Sequence, residues 1–351
     1  MKVFHHVYNL YLYSGATNQA LKLSKELIDN RSCEVVFVNT EKKPTIRYLP
    51  YPVYNLGGSV MTKLFRILLI IANSNKNETI HHVHGYHLLE LMVLCFFRRN
   101  VLFKCTLEGH DDLETLSKSR LKRPFLKYIL RNVNFVNSLN PKIKAINERY
   151  VQSNKNIVIP NGVHTERRCF DINRDCEGYF LFVGAIVERK GVLGCIKWFL
   201  ENVKDDSVKL KLVGPFNSGL SEETNDYLNK VRSQIGDRVS LEGKLEESEL
   251  SREFQGALGI LFNSSFEGTP NVILEAMSFN CPVINIPDDV VVDWLLGDDL
   301  AKKLDVILRK PTSASLVALR KSKLLERRVE HFSIKSIAES TYTIYEEMIR
   351  A

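Results

Sequence analysis

Short apolar runs bounded by polar residues recur along the chain, and stretches of helical spacing separate them; no other feature restricts the fold as strongly. Lys2 to Tyr8 and Cys33 to Val38 read as strands, with the amphipathic segment Ala16 to Ile28 between them. Ile80 to His84, Val101 to Leu107, Tyr179 to Gly184, Lys209 to Gly214, Val239 to Gly243 and Ala257 to Phe262 continue the series. Strands apolar on both faces, each followed by a helix, belong to parallel sheets covered on both sides. The expected class is α/β with doubly wound parallel sheets. A chain of 351 residues exceeds one ordinary core, so two domains are expected.

Composition narrows the setting. The seven cysteines are scattered, never as C-x-x-C, and sit mostly in apolar runs, which suits a reduced cytoplasmic chain without structural zinc. The N-terminus MKVFHHVYN is too short and polar for a signal peptide. No apolar run reaches the roughly 18 residues of a membrane span; Ile67 to Ala72 and Leu91 to Phe97 read as buried helix. Charge is unevenly shared: residues 1 to 164 carry 23 Lys+Arg against 11 Asp+Glu, and the remainder 25 against 30. The first half therefore calls for a negative partner.

The stretch Asn263 to Asn285, NSSFEGTPNVILEAMSFNCPVIN, carries the most chemistry. It follows a buried strand and opens a helix, with Thr269 at the N-cap and Pro270 at the first helical position, where its missing N–H costs nothing. The loop residue Gly268 and the first-turn amides of Asn271 and Val272 then face the carboxyl end of the strand, where the helix dipole favours a phosphate. Glu267 precedes this turn and Glu275 lies about 7 Å along the axis, so the pair can hold the two ends of an extended ligand.

Glu267, seven residues, Glu275, with the letters EGTPNVILEAM and then Pro282-Val-Ile, resembles the signature of glycosyltransferase family 4, the retaining group 1 glycosyltransferases of GT-B fold. The resemblance implies two Rossmann-like doubly wound domains facing across a cleft, residues 1–165 for the acceptor and 166–332 for the nucleotide-sugar donor, with the helix 333–351 packing back on the first. It places Glu267 against the donor sugar and Glu275 on the ribose. Lys190-Gly191 stands in the family's register for the diphosphate, and Gly214 matches the glycine after the next strand. Where the family has an Arg this chain has Ala185, and Arg189 is the substitute cation. A cation is needed because the departing diphosphate gains negative charge. On the acceptor side the resemblance marks Gly15, His84 with Gly85 at the cleft rim, and Glu108 with His110, and leaves open which of these two, if either, faces the reacting carbon. Here Ser14 replaces a usual glycine, Glu108 holds the place of a usual His, and Asn285-Ile-Pro-Asp288-Asp289 lacks the family's Gly-rich loop. Ile159-Pro-Asn-Gly162-Val-His164 resembles the family's turn before the interdomain linker, with Gly162 supplying an unusual φ.

Four His within Ile80 to His87 suggest a metal, yet the spacing is that of a strand with alternating faces and no acidic or Cys ligand accompanies it, so none is expected. No cofactor is implied beyond the nucleoside-diphosphate sugar itself. Residues 118–131, with apolar positions at helical spacing and six basic residues, read as an amphipathic helix suited either to an anionic membrane surface or to a solvated basic face. No motif supports nucleic acid. The activity implied is transfer of a hexose or N-acetylhexosamine to a hydroxyl, with a saccharide or lipid-linked saccharide of a cell-surface polysaccharide as acceptor, in the cytoplasm or peripheral on the inner face of the membrane. A GT-B epimerase and a catalytically idle nucleotide-sugar-binding module are the rivals. A dinucleotide dehydrogenase is disfavoured because no G-x-G-x-x-G follows the first strand of either half.

Overall fold

The computed structural model describes residues 1–10, 15–41, 49–165, 178–215, 222–286, 290–308 and 311–351. The chain forms two compact units, Met1–Gly162 with Ile334–Ala351, and Val163–Ser333. The sequence puts these divisions at 165 and 332. The first falls earlier because the Val163 N–H donates to the Phe332 carbonyl (3.0 Å), joining Val163 to the second unit. Ser14, the linker residues 166–177 and Pro287-Asp288-Asp289 lie outside the described residues.

The first unit is built on seven parallel strands: β1 (Lys2–Val7), β2 (Glu34–Asn39), β3 (Val53–Asn55), β4 (Thr79–His84), β5 (Asn100–Cys105), β6 (Phe135–Ser138) and β7 (Asn156–Val158), in the order β3-β2-β1-β4-β5-β6-β7. One face packs on the helices Gly15–Arg31 and Ile334–Arg350 through Val3, Leu27, Ile80, Leu102, Tyr345 and Met348. The other packs on helices that include Val60–Ala72 and Leu88–Phe96. Gly162 closes this unit, and its φ is not in the left-handed range; what excludes a side chain is proximity, since a Cβ there would sit 2.8 Å from the Ile334 Cα. The Gln19 side chain brackets it, donating to its carbonyl and accepting from its N–H, both at 2.9 Å.

Three expectations for this unit need correcting. The segment 118–131 is not one helix: Leu113–Ser117 is followed by turns and then by Arg123–Asn132, whose start is set by Pro124 in its first turn. Leu121 lies before that helix and is 85% exposed, while Leu126, Ile129 and Leu130 are buried. The apolar stretches 67–72 and 91–97 are not wholly buried either, since Leu69, Phe96 and Phe97 face solvent.

The second unit has five parallel strands, β8 (Tyr179–Val183), β9 (Lys209–Val213), β10 (Val239–Gly243), β11 (Gly259–Phe262) and β12 (Val283–Asn285), in the order β10-β9-β8-β11-β12. Apolar clusters cover both faces, one around Leu181, Ile260, Ile273 and Met277, the other around Phe180, Phe199, Leu212 and Leu261. Arg320, buried, ties this unit together by donating to the carbonyls of Phe254 (3.2 Å), Gln255 (2.7 Å) and Phe279 (3.4 Å), where two helices end. Cations suit helix C-termini, where the last carbonyls lack intrahelical partners.

Candidate functional site

In a doubly wound sheet the strand order reverses at one place, and the loops leaving the two strands there diverge to opposite faces and open a crevice at their carboxyl ends. In the second unit that place lies between β8 and β11. The loop after β8 holds Arg189, Lys190 and Gly191, and the loop after β11 holds Asn263 to Pro270. Backbone and side-chain bonds lock the two loops together: Ser265 N–H to the Arg189 carbonyl (3.0 Å), and Asn263 Nδ2 to the Gly191 carbonyl (3.0 Å). Gly191 has φ 64°, and a Cβ on it would lie 2.2 Å from the Asn263 carbonyl oxygen, so only glycine fits.

This lock brings three charged groups to one point. Glu267 Oε1 accepts from Ser264 Oγ at 2.6 Å and from Arg189 Nη1 at 3.3 Å, and it is ion-paired to Lys190 Nζ. Arg189 also donates to the Phe266 carbonyl at 3.0 Å. The Glu267 side chain is only 13% exposed, so its charge is countered at close range by groups that hold its geometry. Ser264 and Asn263 were not legible as site residues in the sequence; a run of small polar residues leaving a buried strand was the available signal.

The helix behind Glu267 starts one residue later than its sequence predicts. It spans Asn271–Ser278; Pro270 is its N-cap with φ −69° and ψ 110°, and no side chain caps it. Thr269 is buried outside the helix. Pro270 takes the cap because its carbonyl already accepts from the Ile273 N–H (3.1 Å) while its ψ stays extended. Glu275 lies half-buried on the second turn, flanked by the buried Leu274 and Ala276. Gly268, Thr269, Asn271 and Val272 surround the helix start. Gly214 follows β9 and has a packing role: a Cβ there would lie 1.8 Å from the Gly184 carbonyl, in the turn after β8.

Residues 177–293 match the family model of the group 1 glycosyl transferases. The chain carries a group 1 glycosyl transferase domain. That domain contains Lys190, Glu267 and Glu275, and its two-unit chain has the GT-B fold of solved glycosyltransferases. Sucrose-phosphate synthase from Thermosynechococcus elongatus is similar at a TM-score of 0.76 and 18% identity, over 99% of each chain. HepE of Anabaena, solved with UDP and glucose, is similar at 0.72 and 15%, over 99% of this chain and 100% of that one. A single-site variant of S. aureus TarM, solved with Fondaparinux, alpha-GlcNAc-glycerol and UDP, is similar at 0.71 and 12%, over 100% of each. At such identities the likeness is one of fold. No curated protein sequence matches the chain.

The residues that the sequence reading assigns to the acceptor lie in the first unit, and not all stand where the sequence suggests. Gly15 is the exposed first residue of the helix after β1. His84 is not at a rim: it is 4% exposed, and His5 Nδ1 lies 2.9 Å from its Nε2. Strand alternation turns His82 and His84 to the face covered by the terminal helix, where burial pushes their pKa values well below the ordinary histidine range. Gly85 follows with φ 95° and turns the chain out of the sheet. In the loop after β5, Glu108 pairs with Lys142 at 2.8 Å, whereas His110 is exposed. Asp111 and Asp112 build this loop, accepting from the N–H groups of Thr106 (2.8 Å), Leu107 (2.8 Å) and Gly109 (2.6 Å). An acidic partner for the histidines does exist: Glu90 accepts from His6 Nδ1 (2.5 Å) and His87 Nδ1 (3.2 Å) on the opposite face, and these imidazoles outweigh burial and hold its pKa down to about 2.

Proposed function

We propose that the chain is a retaining glycosyltransferase that moves a hexose or N-acetylhexosamine from a nucleoside-diphosphate sugar to a hydroxyl of a saccharide or lipid-linked saccharide. The observation that carries this reading is the convergence of Lys190, Arg189 and Glu267 at the strand-order reversal of the second sheet, beside the start of an uncapped helix. The bond from the anomeric carbon to the diphosphate oxygen breaks, negative charge collects on the diphosphate, and a bond to the acceptor oxygen forms on the same face of the sugar as the acceptor's hydroxyl proton passes to the departing diphosphate oxygen. Lys190, Arg189 and the positive pole of the Asn271–Ser278 helix are the groups that neutralise it, so the transfer itself needs no metal.

In the resting state Lys190 is held by Glu267. On donor binding the ammonium turns to the diphosphate, while Ser264 and Arg189 keep the Glu267 carboxylate in place against the sugar. Glu275 takes the ribose. UDP in the HepE and TarM structures makes a UDP-sugar the first donor to try. A thermal-shift screen over UDP-, GDP- and TDP-sugars tests the donor, since binding to the native state raises its stability. Glu267→Ala should abolish transfer and leave nucleotide binding nearly intact; wild-type turnover in that variant refutes the assignment.

A membrane-bound acceptor is supported by one helical layer of the first unit, in which Leu88–Phe96 packs against both Val60–Ala72 and Arg123–Asn132. Met61, Phe65, Phe96, Leu121 and Phe125 project from it into solvent, among the exposed cations Arg98, Lys122, Arg123 and Lys127. Apolar side chains set among cations suit an anionic bilayer surface. No helix among the described residues is long and apolar enough to cross a membrane. Sedimentation with anionic vesicles should carry the protein down, neutral vesicles should not, and reversing the charge of Lys122 and Arg123 should weaken the association.

A further inference from the structure

We propose that His5, His82 and His84 form a binding site for a borderline divalent metal ion such as zinc, which pins the C-terminal helix to the first sheet. β1 and β4 are adjacent, with His5 in register with His82, and period-two alternation puts all three rings on one face. One ring nitrogen of each lies within 4.8 Å of the others, and the residues are 0%, 1% and 4% exposed. The rings are close-packed: those of His82 and His84 stack at 4.1 Å between centroids, and His5 lies 5.2 Å from each.

Hydrogen bonding identifies the ligand atoms. His5 Nδ1 and His84 Nε2 are 2.9 Å apart, one donating to the other; when a cation binds between them, the donor's proton moves to the far nitrogen of the same ring and both facing nitrogens present lone pairs. Tyr345 Oη lies 2.6 Å from His82 Nδ1, leaving His82 Nε2 as the ligand; that atom is buried and has no hydrogen-bond partner among the described residues. A zinc ion 2.0–2.1 Å from each nitrogen needs donors roughly 3.3 Å apart and in-plane lone pairs that converge, so on binding the shared pair opens slightly and the stacked His82 and His84 rings fan apart about the ion. Tyr345 then acts as the outer group that orients a ligating imidazole, and it belongs to the helix Ile334–Arg350.

Three neutral imidazoles without carboxylate or thiolate select zinc, copper, nickel or cobalt over calcium or magnesium. Lys104 is in register with His84 and is the buried cation facing the rings; it donates to Asn161 Oδ1 at 3.1 Å. Its charge opposes a dication, so the ion should carry an anionic fourth ligand such as hydroxide or chloride. His6, His81 and His87 lie outside the site, His6 and His87 being committed to Glu90.

The test uses the full chain without a polyhistidine tag, stripped with chelator and titrated with Zn²⁺ and, for a visible spectrum, Co²⁺. One ion per chain is expected, with a rise in melting temperature and a tetrahedral Co²⁺ spectrum. His82→Gln should lose the ion, and His87→Ala should keep it. Tyr345→Phe, which preserves the ring packing, should weaken affinity about tenfold, the size of effect typical for removing an outer-shell partner. No stoichiometric ion, an ion retained in His82→Gln, or unchanged affinity in Tyr345→Phe would each overturn the proposal; the last still decides if the glutamine variant does not fold.

Discussion

Both sheets reverse their strand order beside their first strand, but the first buries five imidazoles on β1 and β4 and the ammonium of Lys104 on β5, whereas no strand of the second contributes a buried imidazole or charged side chain among the described residues. The second unit keeps its polar groups for the loops at the strand ends, where Lys190, Arg189 and Glu267 meet. A sheet packed with hydrocarbon holds those loops with little dependence on pH. A sheet packed with histidine depends on pH throughout its interior.

Acid should separate the two units most. Burial lowers the pKa of His5 to about 3 and those of His81, His82 and His84 well below the ordinary value of 6.5. Below pH 6.5 the unfolded chain therefore binds more protons than the folded one, so stability is intact above that pH and falls as pH drops toward the folded values. Each such group contributes up to about 1.4 kcal/mol per pH unit across its window, so the first unit loses stability as pH falls below 6.5. Calorimetry on the chelator-stripped protein should show the first unit's transition moving down between pH 7.5 and 5 while the second's hardly moves. Movement of the second alone would break the comparison.

Next in size is Glu90→Gln, which removes the carboxylate between His6 and His87 and should cost the first unit about 3–5 kcal/mol, as expected for breaking a buried pair. In the second unit Arg320→Met should cost about 3 kcal/mol, because it removes the buried donor to the carbonyls of Phe254, Gln255 and Phe279. Denaturation followed by domain-specific proteolysis would assign each loss; Arg320→Met loosening the first unit would contradict the division of roles.

The strands were legible because runs such as Tyr179 to Val183 are apolar on both faces and bounded by turn residues. Lys190 and Glu267 were legible as separate residues from spacing and resemblance, while their pairing depends on β8 and β11 being neighbours, a contact between residues 77 apart. His84 was misplaced because strand alternation does not say which face is covered by helices, and the helix Ile334–Arg350 covers it from the far end of the chain. Glu90 escaped notice for the same reason: it reaches His6 across 84 residues. At Gly162 the sequence pointed to backbone conformation, but the constraint is the Ile334 backbone against it, invisible locally.

Whether Lys190, Arg189 and Glu267 converge on a diphosphate is tested most directly by titration calorimetry with UDP on paired variants. Binding should weaken at least tenfold in Lys190→Ala, through loss of a cation from the diphosphate, and should hold or tighten in Glu267→Ala, where the lysine is released from its carboxylate. Equal affinity in wild type and Lys190→Ala, for UDP and for GDP and TDP alike, would contradict it.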